Sequence, residues 1–157
     1  MEKIIIKIKS GRKAKYNSNR AIKNLMHYIT REKGTSDKVR HWGTRGLNHD
    51  IDKASAQFIK TQKLLRKNKN RRAYHIIVSF PIEFQDIDFV NTAADKVADY
   101  FGYDYQVVYG VHTNTKVLHF HLMINSVSYV TGLKFHKNKH ELEKMKGDIL
   151  TVINSIS

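Results

Sequence analysis

The sequence predicts an α+β fold, in which a mostly antiparallel central sheet is flanked by helices in a two-layer sandwich. Strand-like segments are interspersed with segments whose apolar residues recur with the period of a helix. Their order is β-α-loop-α-β-α-β-β-α, and the last two strands are joined by a short connection that suits antiparallel pairing. The chain has 157 residues and is 41% hydrophobic, so residues 1–157 are expected to form a single domain with a core.

The first half of the chain is predicted to contain a strand, two helices and a long loop. Residues 3–9 alternate isoleucine with lysine, which indicates a half-buried strand. Residues 18–34 carry an apolar stripe at i, i+3, i+4 and i+7, and Tyr28 lies on the flank of that stripe. The segment 35–50 has no clean period and is predicted to be a loop, of a length that is often functional. A second helix is predicted from residue 50 to about residue 68.

The second half is predicted to contain three strands, two helices and a short hairpin arm. The first of these strands is rich in β-formers and stops at Pro81, and Gly132 favours a turn in the arm. The predicted elements are strand 72–80, helix 86–101, strands 103–112 and 118–129, arm 130–136 and helix 138–154.

The charge balance points to a polyanionic partner. Lysine plus arginine number 28 against 14 acidic residues, which gives a formal net charge of +14 and a pI near 9.9. Nucleic acid is the expected partner, and an anionic membrane surface is the second candidate. The basic run 66–72 is predicted either to contact the DNA backbone or to be a solvated helix end. The residues predicted to contact DNA in this run are Arg66, Lys67, Lys69, Arg71 and Arg72.

Several classes of protein are excluded or disfavoured by composition. The chain has no cysteine, so disulfide frameworks, thiolate zinc sites and cysteine nucleophiles are ruled out. The apolar run near the N-terminus is three residues long, too short for a signal peptide, and no segment approaches the ~20 apolar residues of a membrane span. A cytoplasmic protein without membrane insertion is therefore expected.

Three histidines are predicted to converge on one face of the sheet. His119 and His121 are two residues apart on a strand, so their side chains point the same way. If residue 112 of the preceding strand lies opposite residue 119, His112 joins this face. Gly110 then lies opposite His121 and leaves room for a bulky group. The alternate residues of the strand are apolar, which assigns the other face to the core.

Such a cluster indicates a metal centre. Neutral imidazole is the commonest metal ligand, and three histidines with open positions are typical of a catalytic site. The expected cofactor is a divalent metal ion, Mn or Mg, with Zn, Co or Ni as alternatives, although all-nitrogen ligation disfavours Mg. A solvated strand face that is rich in histidine is the competing interpretation. A cation beside so much positive charge favours chemistry on phosphate.

These segments resemble a known family. The pattern V-H-T-N-T-x-x-x-H-x-H-x-x-x-N-S-V at 111–127 is similar to the metal motif of plasmid and integrative-element mobilisation relaxases, in the MobP-like branch of the HUH endonucleases. The resemblance extends in the same order through residues 28–30, 42–48, 72–80 and 131–136.

The resemblance implies a metal-dependent, site- and strand-specific DNA endonuclease and strand transferase. Such an enzyme nicks one strand at an origin of transfer, stays attached to the 5′ end through a phosphotyrosine, and later religates the ends. The implied partners are single-stranded origin DNA, relaxosome accessory proteins and the coupling protein of a type IV secretion system. Relaxases usually carry a further C-terminal domain, which residues 1–157 are expected to lack.

The resemblance also assigns residues. Tyr28 matches the nucleophilic tyrosine, with Tyr16 as the reserve, and the three histidines match the metal ligands. Asn114 stands where the family usually has an aspartate that orients a ligand histidine.

Asn125 shares the strand face of the histidines. The site-bordering residues His75 and Ser79 are read equally well as structural, and His75 is one of the groups that could accept the tyrosine proton.

The long loop supplies three further predicted DNA contacts. His41, Trp42 and Arg45 are suited to stacking on a splayed base or gripping a phosphate.

Three alternatives stay open on the sequence alone. A rolling-circle replication initiator or an HUH transposase would use the same chemistry at another DNA site. A basic DNA-binding module without catalysis would bind no metal. A phosphodiesterase with a water nucleophile would cut DNA without forming a covalent adduct.

Overall fold

The computed structural model describes residues 3–9, 15–31, 39–65, 67, 69–134 and 138–156. In chain order its elements are β1 (Ile5–Ile8), α1 (Asn19–Thr30), β2 (His41–Arg45), α2 (Ile51–Leu64), β3 (Ala73–Ser79), α3 (Ile87–Gly102), β4 (Tyr105–His112), β5 (His119–Ser128) and α4 (Lys139–Asn154).

The described strands form one antiparallel sheet in the order β1-β3-β5-β4-β2. The predicted α+β class and the antiparallel sheet flanked by helices are confirmed. β5 lies at the centre of the sheet, and it is buried along its length except at its first residue, His119. The predicted histidine pair therefore lies at the open end of this buried central strand.

Each helix begins at a side chain that accepts a hydrogen bond from the first turn. The Ser18 hydroxyl oxygen accepts from the backbone N–H of Ala21 at the start of α1, and the Asp50 and Asp86 carboxylates cap α2 and α3 in the same way. Asn138 and Glu141 form a reciprocal capping box at α4. Such caps satisfy backbone donors that have no partner inside the helix.

Helices cover both faces of the sheet rather than one, so the two-layer expectation is corrected to three layers. The larger core joins β3, β4 and β5 to α3 and α4. A second, smaller core joins α1 and α2 to the other face, where Val108 and Met123 are fully buried. These two apolar side chains lie on the face that the histidines share, and they give α1 and α2 a surface to pack on.

The prediction that residues 35–50 form a loop is wrong for five of them. His41–Arg45 forms β2, an edge strand that pairs with β4 from Val111 to Val107. The sequence does not predict this strand, because it is short and lacks apolar alternation. Its pairing depends on backbone hydrogen bonds to a neighbour that the local sequence does not reveal.

Other boundaries differ by a few residues. α1 ends at Thr30 and α2 at Leu64, whereas the predicted segments run to residue 34, which lies outside the described residues, and to about residue 68. In the predicted arm, Gly132 has a φ of +71° and a single bridge joins Val127 to Lys134. Residues 135–137 lie outside the described part. Among the described helices, none combines the length and the apolar character that crossing a membrane requires.

Candidate metal centre and nucleophile

The hairpin of β4 and β5 brings the three predicted histidines together. His112 pairs with His119 and Gly110 pairs with His121, which is the predicted register. One ring nitrogen from each histidine lies within 4.8 Å of those of the other two. His112 and His121 are buried, and His119 is half-buried at the open end of the hairpin.

Each histidine uses its other ring nitrogen to fix its orientation. His112 donates from Nε2 to the backbone oxygen of Ile29 at 2.7 Å, and His119 donates from Nδ1 to that of Val117 at 3.1 Å. A carbonyl oxygen only accepts, so these two nitrogens carry the ring protons of neutral imidazoles. The lone pairs of these two neutral rings are then on Nδ1 of His112 and Nε2 of His119.

His121 completes a donor set that fits a divalent metal ion. Its Nδ1 is 2.8 Å from Nε2 of His75. Its Nε2 is buried and has no hydrogen-bond partner within the described part of the chain. A buried polar nitrogen without a partner is costly in a protein interior, and coordination to a cation would satisfy it.

Burial also holds these rings in the neutral form that metals bind. It lowers the pKa of His121 to about 2, with further contributions from His112, His75, His119 and Lys9. Burial likewise lowers the pKa of His75 to about 4, with smaller electrostatic contributions from Lys9 and His112. Burial destabilises a charged imidazole, so at neutral pH both rings keep one nitrogen lone pair.

Tyr28 stands over this cluster from the last turn of α1. Its ring centroid is 5.3 Å from that of His121, 5.9 Å from that of His112 and 6.2 Å from that of His75. The side chain is 48% exposed, so it meets both the histidines and solvent. The buried stripe of α1 anchors the helix, and the carbonyl of Ile29 ties its end to His112.

His75 and Tyr16 extend the cluster on the side of β3. The Tyr16 hydroxyl is 2.9 Å from Nδ1 of His75, which is buried. Both nitrogens of His75 are therefore engaged, and its ring meets Tyr28 edge-on. Lys9 lines an open groove with these residues. Sequence reasoning missed Lys9, because nothing local to the end of β1 relates it to the histidines.

The other predicted site residues have different surroundings. Ser79 lies directly opposite His119 in the β3–β5 register and so borders the cluster. Asn114 is exposed and lines a cavity of about 410 Å³ that also contacts His112. Among the described residues, the three histidines hydrogen-bond to His75, to the backbone oxygen of Ile29 and to that of Val117, and none of these three bonds is made to Asn114.

Asn125 does not border the site, which corrects its prediction. It is fully buried, and its amide donates to Gln106 and to the backbone oxygen of Phe58. Its carbonyl oxygen accepts from Gln62 and from the backbone N–H of Val127. Asn125 therefore links α2 to β4 and β5, and Met123 separates it from the histidines along the strand.

The predicted DNA contacts on β2 have partners inside the protein. His41 lies 2.7 Å from the Asp95 carboxylate, and Arg45 donates to Asp99 at 2.7 Å. The ring of Trp42 stacks on that of His49 at 3.9 Å. These contacts attach the edge strand and its following turn to their neighbours, and DNA binding by the three side chains stays a prediction.

The basic run divides into a buried and an exposed part. Arg72 is 5% exposed and donates to Gln62 and Asn19, so its prediction as a DNA contact is corrected to a structural role. Lys67 and Lys69 are exposed, and the guanidinium of Arg71 lies over the ring of Tyr74. Arg66 lies outside the described residues.

Comparisons with known proteins agree with this architecture. The family model of the MobA/VirD2-like relaxase nuclease domain matches residues 28–148. Protein rlx of Staphylococcus aureus is 34% identical over 101 residues, which cover 64% of this chain and 32% of the relative. Protein TraI of Escherichia coli is 28% identical over 122 residues, which cover 73% of this chain and 17% of the relative. The chain thus spans less than half the length of these relatives.

A solved structure has a similar fold. It is described as "Molecular Basis of Vancomycin Resistance Transfer in Staphylococcus aureus" and aligns with a TM-score of 0.55 at 18% identity. The alignment covers 96% of this chain and 90% of the other.

Proposed function

Because the chain belongs to the family of MobA/VirD2-like relaxase nuclease domains, we propose that residues 1–157 act as one domain that nicks a single DNA strand at an origin of transfer. Tyr28 is the nucleophile, the product is a 5′-phosphotyrosine adduct, and religation reverses the step. The observation that carries this proposal is the half-exposed phenol of Tyr28 above three converging histidines. The reaction would initiate conjugative mobilisation.

His112, His119 and His121 would hold the divalent metal ion. When bound, such an ion neutralises charge on the non-bridging oxygens of the scissile phosphate and so favours attack. The burial of two of the ligands and the fixed orientation of all three mean that little reorganisation is needed for binding.

The chemical step needs a nucleophile that leaves again. The Tyr28 oxygen forms a bond to phosphorus, the bond from phosphorus to the 3′ oxygen breaks, and the freed 3′ hydroxyl takes up a proton. One phosphate ester replaces another, so the reverse attack by a 3′ hydroxyl restores the DNA without an energy source. His75 is not assigned as the proton acceptor, because both of its nitrogens are engaged. The half-exposed Tyr28 passes its proton to solvent.

Positive charge would position the DNA strand. Lys9 lies beside Tyr28 in an open groove, and the chain carries a net charge of +14. Such contacts to phosphate supply affinity and orientation without sequence preference. The proposed partners are single-stranded origin DNA, relaxosome accessory proteins and the coupling protein of a secretion system, and the proposed location is the cytoplasm.

A covalent assay tests the proposal. The protein is incubated with Mn and a single-stranded oligonucleotide that carries the origin of transfer of the host element, and the products are boiled in detergent. We expect a protein–DNA adduct that is lost in Tyr28→Phe and kept in Tyr16→Phe and in the matched control Tyr100→Phe.

Other results would favour the alternatives. Cleavage without an adduct would indicate a water nucleophile, and binding without cleavage would indicate a DNA-binding module. An adduct that survives in Tyr28→Phe and vanishes in Tyr16→Phe would transfer the role of nucleophile to Tyr16.

A further inference from the structure

A chain of hydrogen bonds runs from the segment before α1 to the histidine cluster. The Tyr16 hydroxyl is 2.9 Å from Nδ1 of His75, and Nε2 of His75 is 2.8 Å from Nδ1 of His121. At the far end, Nε2 of His121 is buried without a partner among the described residues. These hydrogen bonds therefore connect an aromatic residue outside the sheet to a ligand histidine whose buried Nε2 has no partner among the described residues.

The hydrogen bonds from Tyr16 through His75 to His121 can run in two directions, depending on which atom of each pair donates. A neutral imidazole has one N–H and one lone pair. In one direction Tyr16 donates to His75, His75 donates to His121, and the remaining N–H of His121 occupies Nε2, where it has no acceptor. In the other direction His121 donates from Nδ1 to His75, and His75 donates from its Nδ1 to the Tyr16 oxygen. Only this second direction leaves the lone pair of His121 on Nε2, where an ion can use it.

We propose that His75, supported by Tyr16, is a positioning residue that holds His121 in the tautomer that binds the metal ion. A hydrogen-bond acceptor behind a ligand histidine fixes its ring and makes its free nitrogen a stronger donor. The inference rests on the metal centre of the proposed function.

The backbone at Tyr16 supports a role for this residue. Its φ is +49°, in the left-handed region that bulky side chains rarely adopt and that costs on the order of 1 kcal/mol or more. The preceding carbonyl, that of Lys15, accepts a hydrogen bond from the backbone N–H of Arg72 at 2.9 Å, next to the start of β3. Long-range contact therefore holds the chain in a strained turn that places the phenol edge-on to His75 at 6.0 Å.

Calorimetric titration with Mn and with Zn tests the inference on the full chain without DNA. We expect His75→Ala to weaken metal binding by about 10–100-fold. His75→Gln should recover most of this loss, because its amide oxygen can accept from His121 and its amide nitrogen can donate toward Tyr16. Tyr16→Phe should weaken binding a few-fold, and its matched control Tyr100→Phe, whose hydroxyl bonds Asp148 on α4, should not change it.

Nitrogen-15 NMR of the histidine rings supplies a readout that general loss of packing would not mimic. In the Zn-loaded wild type, the ring proton of His121 should be on Nδ1 and that of His75 should also be on Nδ1. If circular dichroism shows that His75→Ala does not fold, two other results test the inference. These are the metal affinity of Tyr16→Phe relative to that of Tyr100→Phe, and the ring tautomers of the Zn-loaded wild type.

The outcomes separate the two proposals. If the wild type binds neither ion, the metal centre fails, and the inference fails with it. If the wild type binds tightly and the foldable variants at His75 and Tyr16 bind equally well, or if the Zn-loaded His75 carries its proton on Nε2, only the inference is overturned.

Discussion

A methyl group added at Gly110 should separate the nucleophile from the histidines. Gly110 lies on β4 opposite His121, and a Cβ at this position would be 2.3 Å from the backbone oxygen of Ile29. A close carbon–oxygen contact in proteins is about 3.3 Å, so the end of α1 would have to move by about 1 Å in Gly110→Ala. The same oxygen accepts the hydrogen bond from His112, and the preceding residue is Tyr28.

The expected magnitude follows from these two contacts. Overpacking of this kind costs about 1–3 kcal/mol, and the lost hydrogen bond to a buried ring costs about 1 kcal/mol more. The free energy of unfolding should therefore fall by about 2–4 kcal/mol. Because a displacement of about 1 Å at a reacting group costs about 100-fold in rate, adduct formation by the folded variant should slow by about that factor.

Urea unfolding and the adduct assay measure both effects. Gly147→Ala on α4 is the matched control, because a Cβ there meets nothing within 4 Å and alanine favours a helix by about 0.5–1 kcal/mol. The control should be slightly more stable than the wild type and equally active. If Gly110→Ala unfolds at the wild-type urea concentration and forms the adduct at the wild-type rate, the proposed tie between α1 and the hairpin is refuted.

Three further predictions concern the core, the metal and alkaline pH. Asn125→Ala should lower the free energy of unfolding by about 3 kcal/mol or more in urea, because several buried groups lose their partner; a loss below 1 kcal/mol would contradict the role given to this amide. Mn at 100 times its Kd should stabilise the wild type by about 2.7 kcal/mol, and His119→Ala should abolish this gain in thermal unfolding, whereas an unchanged gain would remove His119 from the ligand set. Burial and the hydrogen bond to Asp95 raise the pKa of Tyr109 to about 12. The folded state thus resists ionisation of this phenol, whereas the unfolded chain ionises it near pH 10. The free energy of unfolding should therefore fall by about 3 kcal/mol as pH rises from about 10 through 12. Tyr109→Phe should lack this part of the alkaline loss, and a profile identical to that of the wild type would count against the assignment.

The histidine hairpin could be predicted because its information is local. Alternation along β5 assigns His119 and His121 to one face, and a six-residue connection returns the chain so that His112 lies opposite His119. The apolar stripe of α1 likewise predicts which side of the helix is buried and leaves Tyr28 at its flank. Both inferences use only the periods of a strand and a helix, which depend on residues a few positions apart.

Other features could not be read from neighbouring residues. The sequence placed Arg72 in a basic run and Asn125 on the histidine face, yet both side chains are buried and bonded to Gln62. β2 lacks an apolar pattern and exists because β4 offers it a free edge. In each case the partner is distant in the chain, and burial decided whether a polar side chain meets solvent or another polar group.

By itself, the sequence determined the α+β class, the basic character and the strand register that gathers three imidazoles. Only the tertiary structure decided that α1 docks with the carbonyl of Ile29 against His112, and that Tyr16 and His75 lie behind His121. The physical reason is that side-chain direction along a strand is set by backbone geometry, whereas the distance between elements is set by how their apolar faces pack.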